Sequence, residues 1–204
     1  CLSLLENGFQ IFVIDSYINS SIKSLENVLK ILNKDNKDLK NNLYIFEGDL
    51  KNSKDVEAIF KKANAANKSI EAVIHFAGLK SVSESVDFPL SYWENNFYGT
   101  INLLKNMEKY DCKNIIFSSS ATVYQSKTNK LLSEKDECSP INPYGQTKLA
   151  IEKLLNDVYK SAPSEWRIAC LRYFNPVGAH ESGLIGEDPF GKPNNLYPQI
   201  TKVA

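Results

Sequence analysis

The feature that most constrains this chain of 204 residues is an alternation of short apolar runs with stretches of helical periodicity. The apolar runs cover residues 10–15, 43–46, 72–76, 114–118 and 167–172. The helical spacing covers residues 24–32, 53–65, 90–107 and 144–159. Strands that are apolar on both sides are typical of parallel sheets covered by helices. The pattern therefore predicts an α/β fold, a doubly wound parallel sheet with helices on both faces.

Both ends of the sequence lie inside predicted helices. Residues 1–8 are typical of the last turns of a helix, with Gly8 at its C-terminal cap. Residues 199–204 end within another helical pattern. We therefore expect a fragment in which the sheet is truncated at both ends.

The charge balance gives no preference for an anionic partner. The chain carries 24 basic and 24 acidic residues, so its formal net charge is zero. No global field then favours nucleic acid or an anionic membrane surface. No run of 18 apolar residues occurs, which predicts that no helix spans a membrane.

The cysteines indicate neither a disulfide framework nor a metal centre. They are spread along the chain, at Cys1, Cys112, Cys138 and Cys170. No two of them form a Cys-x-x-Cys pair, and His75 and His180 add no metal-ligand spacing. We predict no metal site, reduced and mostly buried thiols, and a cytoplasmic location.

Polar and small residues concentrate where the predicted strands end. They comprise Asp15, Asp49, residues 76–80, residues 118–120 and residues 173–175. In open parallel sheets, ligands bind outside the carboxyl ends of the strands. This position predicts a ligand site and a Rossmann-like arrangement.

The segment after the first predicted strand is typical of dinucleotide binding. Asp15 can accept both hydrogen bonds of an adenosine ribose, which favours NAD, since a 2′-phosphate would be repelled and no arginine is near. Asp49 and Leu50 can hold the adenine edge. Loop carboxylates that cap a helix or close a turn are the alternative for both acids.

Three later segments offer further contacts. Phe76, Ala77 and Gly78 leave a bare backbone that a cofactor can approach closely, and Lys80 adds a positive charge. Phe174 can close over a nicotinamide and Asn175 can donate to a diphosphate. Asn194, Asn195 and Leu196 follow in a loop that binds a diphosphate or is a plain turn. Asn95, on the long predicted helix, is ambiguous, because its side chain could contact a ligand or simply face solvent.

Tyr144 and Lys148 lie one helical turn apart, after the serine run that ends at Ser120. A nearby lysine favours the phenolate, and a serine hydroxyl can relay or orient the proton, so the three side chains can deprotonate an alcohol while a nicotinamide takes the hydride. The pair also arises by chance in a chain with 10 tyrosines, where the ring packs on a lysine stem.

Four runs together resemble the UDP-glucose 4-epimerase family of the extended short-chain dehydrogenase/reductase superfamily. They are residues 73–80 (Val-Ile-His-Phe-Ala-Gly-Leu-Lys), 117–124 (Phe-Ser-Ser-Ser-Ala-Thr-Val-Tyr), 171–180 (Leu-Arg-Tyr-Phe-Asn-Pro-Val-Gly-Ala-His) and 186–189 (Gly-Glu-Asp-Pro). The likeness extends in order over essentially the whole chain.

The resemblance implies that UDP-glucose and UDP-galactose interconvert by transient oxidation at sugar C4 with tightly held NAD. It implies Tyr144, Lys148 and Ser120 as catalytic residues. The NAD contacts would be Asp15, Ser16, Tyr17, Ile18, Asn19, Ser20, Asp49, Leu50, Phe76, Ala77, Gly78, Leu79, Lys80, Asn95, Ser120, Tyr144, Lys148 and Phe174. The substrate contacts would be Lys80, Ser120, Tyr144, Asn175, Asn194, Asn195 and Leu196.

The resemblance also implies an NAD-binding domain over residues 1–174, the start of a smaller UDP-sugar region over residues 175–204, and a homodimer. The sequence departs from the family pattern in lacking the glycine loop and in carrying Gln125 where glycine is usual. A nucleotide-sugar 4,6-dehydratase is one alternative. Enzymes of that kind, however, usually carry a Thr-Asp-Glu run at the position of Ser120. A non-catalytic NAD-binding sensor is the other, although such proteins usually lose the tyrosine or the lysine.

Overall fold

A computed structural model describes residues 1–34, 40–66, 68–124, 131–187 and 196–201. The strands are β1 (Ile11–Asp15), β2 (Leu43–Glu47), β3 (Val73–His75), β4 (Asn114–Ser120) and β5 (Arg167–Tyr173). The helices are α1 (Leu2–Glu6), α2 (Lys23–Lys34), α3 (Ser53–Ala65), α4 (Val82–Asp87), α5 (Pro89–Tyr92), α6 (Gly99–Lys109), α7 (Pro143–Ser161) and α8 (Leu196–Thr201). Single 3₁₀ turns cover Lys40–Asn42 and Ala121–Val123, and a π-helical segment covers Trp93–Tyr98.

The chain forms two compact units. The first contains Cys1–Asp49 and Asn175–Ala204, and the second contains Leu50–Phe174. In the first unit, β1 and β2 pair in parallel, from Ile11 opposite Leu43 to Asp15 opposite Glu47. Its core forms where Leu5 of α1 meets Val28 and Leu32 of α2. Gly8 ends α1 with a φ of 83°, so the predicted glycine cap is confirmed.

In the second unit, β4 lies between β3 and β5, and both pairings are parallel. The predicted parallel arrangement is therefore confirmed. One core joins α3, α6 and α7 to β4. Its buried members are Val56, Phe60, Leu103, Leu104, Met107, Cys112, Ile115, Phe117, Ile151, Leu155 and Trp166.

The prediction that residues 72–76 form a buried strand is wrong for most of its side chains. Only His75 is buried, whereas Ile74 is 42% exposed and Phe76 is 65% exposed. Ile74 lies opposite Ile116, and His75 lies opposite Phe117. Because side chains alternate along a strand, the helices that cover His75 and Phe117 leave the face with Ile74 and Ile116 partly open among the described residues.

The prediction of mostly buried thiols is also wrong. The four cysteines are free, but only Cys112 is buried, while Cys138 is partly buried and Cys1 and Cys170 are exposed. Cys170 lies on β5, most of whose side chains are exposed. Among the described residues, no helix is both long and apolar enough to cross a bilayer.

The helix predicted over residues 90–107 is present but is not uniform. It consists of α5, the π-helical segment and α6 in direct succession. A π-helical turn adds a residue to the helical repeat, and such turns are frequent at functional sites. The insertion places Asn96 in the buried interior, where its side chain is 1% exposed.

Candidate active site

Tyr144, Lys148 and Ser120 meet in the second unit, where the end of β4 faces the first turns of α7. The Lys148 amine donates a hydrogen bond to the Ser118 carbonyl at 2.8 Å and lies 5.7 Å from the centre of the Tyr144 ring. Lys148 is 4% exposed, and Ser120 is 9% exposed. The structure therefore brings the three predicted catalytic side chains together.

The start of α7 is fixed by local sequence. The Asn142 side chain accepts a hydrogen bond from the Gly145 amide at 2.8 Å, and Pro143 occupies the first helical position. Gly145 has no room for a side chain, because an added Cβ would lie 2.5 Å from the Thr122 carbonyl oxygen. The first turn of α7 is therefore in close contact with the turn that follows Ser120.

Thr122 orients the Ser120 hydroxyl. The Thr122 amide and hydroxyl both donate to Ser120 Oγ, at 3.2 and 3.0 Å. A hydroxyl oxygen accepts two hydrogen bonds and donates one, so the Ser120 proton remains to be donated elsewhere. Sequence reasoning missed Thr122, although a hydroxyl residue two positions after a serine is a known local bonding pattern.

The electrostatics of the tyrosine differ from the prediction. Burial raises the pKa of Tyr144 above its ordinary value, and the hydrogen bond from Ser120 opposes this rise. Burial therefore outweighs this hydrogen bond in setting the pKa of Tyr144, and the prediction that Lys148 together with a bound nicotinamide favours the phenolate stays a prediction. Burial also lowers the pKa of Lys148 to about 8, so its amine still carries its charge at pH 7 and loses it only above about pH 8.

Asn96 ties the segment after β3 to the catalytic helix. Its carboxamide accepts from the Leu79 amide at 2.8 Å, donates to the Leu79 carbonyl at 3.0 Å and donates to Thr147 Oγ1 at 3.3 Å. Gly78 has a φ of 145°, and a Cβ there would lie 2.8 Å from Asn96 Oδ1. Sequence reasoning chose Asn95 instead, whose side chain donates to the Ser91 carbonyl of its own helix.

His75 has a structural part in this site. Its Nε2 lies 2.8 Å from Thr100 Oγ1, and the Thr100 hydroxyl donates to the Asn96 carbonyl at 2.6 Å. Burial lowers the pKa of His75 to about 3, so the imidazole is neutral across the physiological range. The ring therefore supports the π-helical segment and stays neutral at physiological pH.

The remaining predicted residues of the second unit follow β3 and β5 in sequence or, in the case of Leu50, lie against α6. Leu50 accepts a hydrogen bond at its carbonyl from Asn102 at 3.1 Å. The Phe76 and Phe174 rings are 65% and 64% exposed. Ala77 and Lys80 are exposed, and Leu79 is partly buried.

The first unit holds the predicted ribose-binding segment. Asp15 ends β1, and its Oδ1 accepts from the Tyr17 amide at 2.8 Å and the Ser20 hydroxyl at 2.7 Å. Tyr17 has a φ of 54°, and Ser16, Ile18 and Asn19 are exposed. The turn therefore fixes the Asp15 carboxylate at the strand end.

Five other predicted residues belong to the first unit. Asp49 lies just after β2 and Asn175 just after β5. Leu196 begins α8 and is 73% exposed. Asn194 and Asn195 lie outside the described residues, as does Gln125.

Comparisons with known proteins agree with the resemblance. UDP-glucose 4-epimerase 2 of Arabidopsis thaliana is 49% identical over 203 residues, which are 100% of this chain and 55% of the relative. UDP-glucose 4-epimerase of Bacillus subtilis is 48% identical over 204 residues, which are 100% of this chain and 56% of the relative. The chain thus spans about half the length of the curated relatives it matches.

A solved structure gives the same result. UDP-glucose 4-epimerase from Bifidobacterium longum, in complex with NAD+ and UDP, matches with a TM-score of 0.87 and 46% identity, covering 99% of this chain and 57% of that one. The predicted Rossmann-like fold and the resemblance to UDP-glucose 4-epimerases are therefore confirmed. The family model described as GDP-mannose 4,6 dehydratase matches residues 1–203. Because this match runs along nearly the whole sequence, the chain belongs to that family.

Proposed function

We propose that the protein carrying these residues interconverts UDP-glucose and UDP-galactose by reversible oxidation at C4 of the hexose, with NAD as its cofactor. The observation that carries the proposal is the convergence of Tyr144, Lys148 and Ser120 at the end of β4. Relatives that match the whole chain are named UDP-glucose 4-epimerases.

The residues present fit NAD. Asp15 offers a carboxylate that the Tyr17 amide and the Ser20 hydroxyl hold in place, which suits the two hydroxyls of a ribose. Gly78 offers backbone without a side chain, in a conformation that other residues rarely adopt. When bound, NAD would supply the acceptor for the hydride and return it to the same carbon.

The chain itself would move the proton. Tyr144 would take the proton of the C4 hydroxyl and later return it. Ser120 would donate a hydrogen bond to the phenolate oxygen, because both of its acceptor positions are used by Thr122. Lys148 would stabilise the phenolate through its charge, since its amine lies beside the tyrosine ring.

Substrate binding is proposed for the residues that the sequence singled out. Lys80 and Asn175 would contact the nucleotide sugar, together with Asn194, Asn195 and Leu196. A 4,6-dehydratase is less well supported, because Ala121 and Thr122 follow Ser120 and supply no acid for the elimination of water.

We also propose a homodimer in the cytoplasm. Large apolar side chains in α5 and the π-helical segment support an interface, since Leu90 is 82% exposed and Tyr98 is 47% exposed. Free thiols support a reducing compartment. Sedimentation of the full-length protein as a monomer, or its secretion through an oxidising compartment, would contradict these two proposals.

The test supplies UDP-galactose to the full-length protein loaded with NAD and measures UDP-glucose by NMR. We expect conversion without net change in NAD, and a loss of about 10²–10⁴-fold in kcat for Tyr144→Phe, because acid–base groups contribute that much. Folded wild-type protein that forms no UDP-glucose overturns the proposal. A product that has lost water indicates the dehydratase instead.

A further inference from the structure

A second polar cluster lies beside the catalytic residues and has no part in the chemistry described above. Glu152 of α7 accepts from the Ser119 hydroxyl at 2.5 Å. Arg172 of β5 donates to both Glu152 oxygens, at 3.0 Å from Nε and 2.7 Å from Nη2. The remaining Arg172 nitrogen donates to the Tyr124 hydroxyl at 2.6 Å. We call these four residues the Glu152 cluster.

The Glu152 cluster is largely withdrawn from water. The side chains of Glu152 and Arg172 are 10% and 21% exposed. Ser119 and Tyr124 are 2% and 6% exposed. A buried carboxylate and guanidinium held by a two-point contact have a defined geometry, unlike an exposed ion pair.

The cluster continues the row of side chains that forms the active site. Tyr144, Lys148 and Glu152 are spaced four residues apart and share one side of α7. Each contacts a different residue of the serine run. Tyr144 contacts Ser120, Lys148 contacts the Ser118 carbonyl, and Glu152 contacts the Ser119 hydroxyl.

Arg172 connects this row to the neighbouring strand and to the turn after β4. Arg172 and Ser119 are directly opposite each other in the β4–β5 pairing. Tyr124 ends the turn in which Thr122 orients Ser120, and the Arg172 guanidinium lies 5.0 Å from the centre of the Tyr124 ring. The segment from Ser118 to Tyr124 is thus held at its start by α7 and at its end by β5.

We propose that Glu152 and Arg172 are positioning residues for the reaction, acting through Ser119 and Tyr124 to hold Ser120 at its working distance from Tyr144. The inference rests on the proposed function. Neither residue needs to touch the sugar or NAD. Their effect is on geometry, and small displacements of reacting groups have large effects on rate.

The test is a double-mutant cycle on Ser119→Ala and Glu152→Gln in the full-length enzyme, with kcat expressed per bound NAD. Each single variant should lower kcat by about 10-fold to 100-fold. The double variant should be little slower than the worse single variant, because both remove the same link. Arg172→Lys should not preserve the rate, since one ammonium cannot make the two-point contact.

A substrate with deuterium at C4 separates positioning from loss of folded protein. Misplaced reacting atoms slow the chemical step, so the isotope effect on kcat should rise in the variants. A smaller folded fraction would leave the isotope effect unchanged. Glu57→Gln is the matched control, because Glu57 pairs with Lys61 and Lys109, away from the serine run, and should keep the wild-type kcat and isotope effect.

Amide hydrogen exchange gives a readout that does not need turnover. Exchange over residues 118–124 should be faster in Glu152→Gln than in wild type, and unchanged in Glu57→Gln. Wild-type kcat in Ser119→Ala, strictly additive effects, or unchanged exchange would each overturn the positioning role. An inactive wild type with the expected exchange pattern would overturn the proposed function and leave the positioning of the serine run supported.

Discussion

At the scale of single residues, burial shifts the pKa values of both Tyr144 and Lys148. The same burial that excludes water from the site raises the pKa of the phenol and lowers the pKa of the amine. The first shift favours the neutral phenol, whereas the second leaves Lys148 charged at pH 7, because its pKa stays above that value. Positive charge arriving beside Tyr144 would reverse this preference, since it favours the anion. The tyrosine proton should therefore be lost more readily when a positively charged nicotinamide is bound.

The lowered pKa of Lys148 predicts a pH dependence of stability. Its pKa is about 8 in the fold against an ordinary 10.5, so between these values the unfolded chain binds more protons than the folded chain. The free energy of unfolding contributed by this group should therefore rise with pH across that window and be at its lowest below it, by up to about 3 kcal/mol.

Urea unfolding of wild type and Lys148→Met from pH 7.5 to about pH 10.5 checks this. The wild-type free energy of unfolding should rise relative to that of the variant as the pH increases. Groups common to both proteins cancel in the difference. Curves that stay parallel would show that Lys148 keeps its charge in the fold, contrary to the prediction.

At the scale of elements, the fit between α7 and the turn after β4 depends on Gly145. An added Cβ would lie 2.5 Å from the Thr122 carbonyl and 2.9 Å from Pro140 Cβ, so Gly145→Ala must displace backbone. We expect a loss of about 1–3 kcal/mol in the free energy of unfolding, together with a lower kcat, because the turn that holds Ser120 moves.

Chemical denaturation and turnover of the same preparation check the Gly145 prediction. Gly186→Ala is the control, since its added Cβ would come no closer than 3.3 Å to Ala179 Cβ. The control should cost less stability and leave kcat intact. Equal stability of Gly145→Ala and wild type would mean that the helix can move away without consequence.

The elements show where sequence reasoning succeeds. The apolar spacing of residues 53–65 predicts a helix, and α3 spans Ser53–Ala65, although its N-terminal cap is Asn52 and not a serine. The strand predicted at residues 114–118 continues to Ser120, where it is still paired with β5 through Tyr173. The π-helical segment could not be predicted, since the apolar spacing around it is compatible with an ordinary α-helix.

In the candidate site, too, some residues could be predicted from the sequence and others could not. Tyr144 and Lys148 are predictable because their spacing is local and the surrounding runs resemble a family. Asn96 and Arg172 are not, because each acts through contacts 17 or more residues away in sequence. Contacts with NAD and with the nucleotide sugar stay predictions.

At the scale of the whole molecule, the neutral composition and the short parallel strands predict the fold class. They do not predict how the chain divides into compact units. The two compact units divide at Asp49 and Phe174, and β1 belongs to a different unit from the catalytic residues. The predicted division into an NAD-binding domain over 1–174 and a sugar-binding region from 175 stays a prediction. Composition and local pattern indicate the fold class, whereas contacts between residues distant in sequence determine where each compact unit begins and ends.

The stability of the second unit should depend on one of its two β5 arginines. Arg172→Met would leave the Glu152 carboxylate buried without its cation, which should cost about 3–5 kcal/mol. Arg167 lies at the other end of the same strand and is exposed, so Arg167→Met should cost less than about 1 kcal/mol. Thermal and urea unfolding of both variants compare the same Arg→Met change at a largely buried position and at an exposed one. Equal midpoints for the two variants would mean that the buried pair adds no stability beyond that of an exposed charge, and that the apolar packing and the β4–β5 ladder hold α7, β4 and β5 together without it.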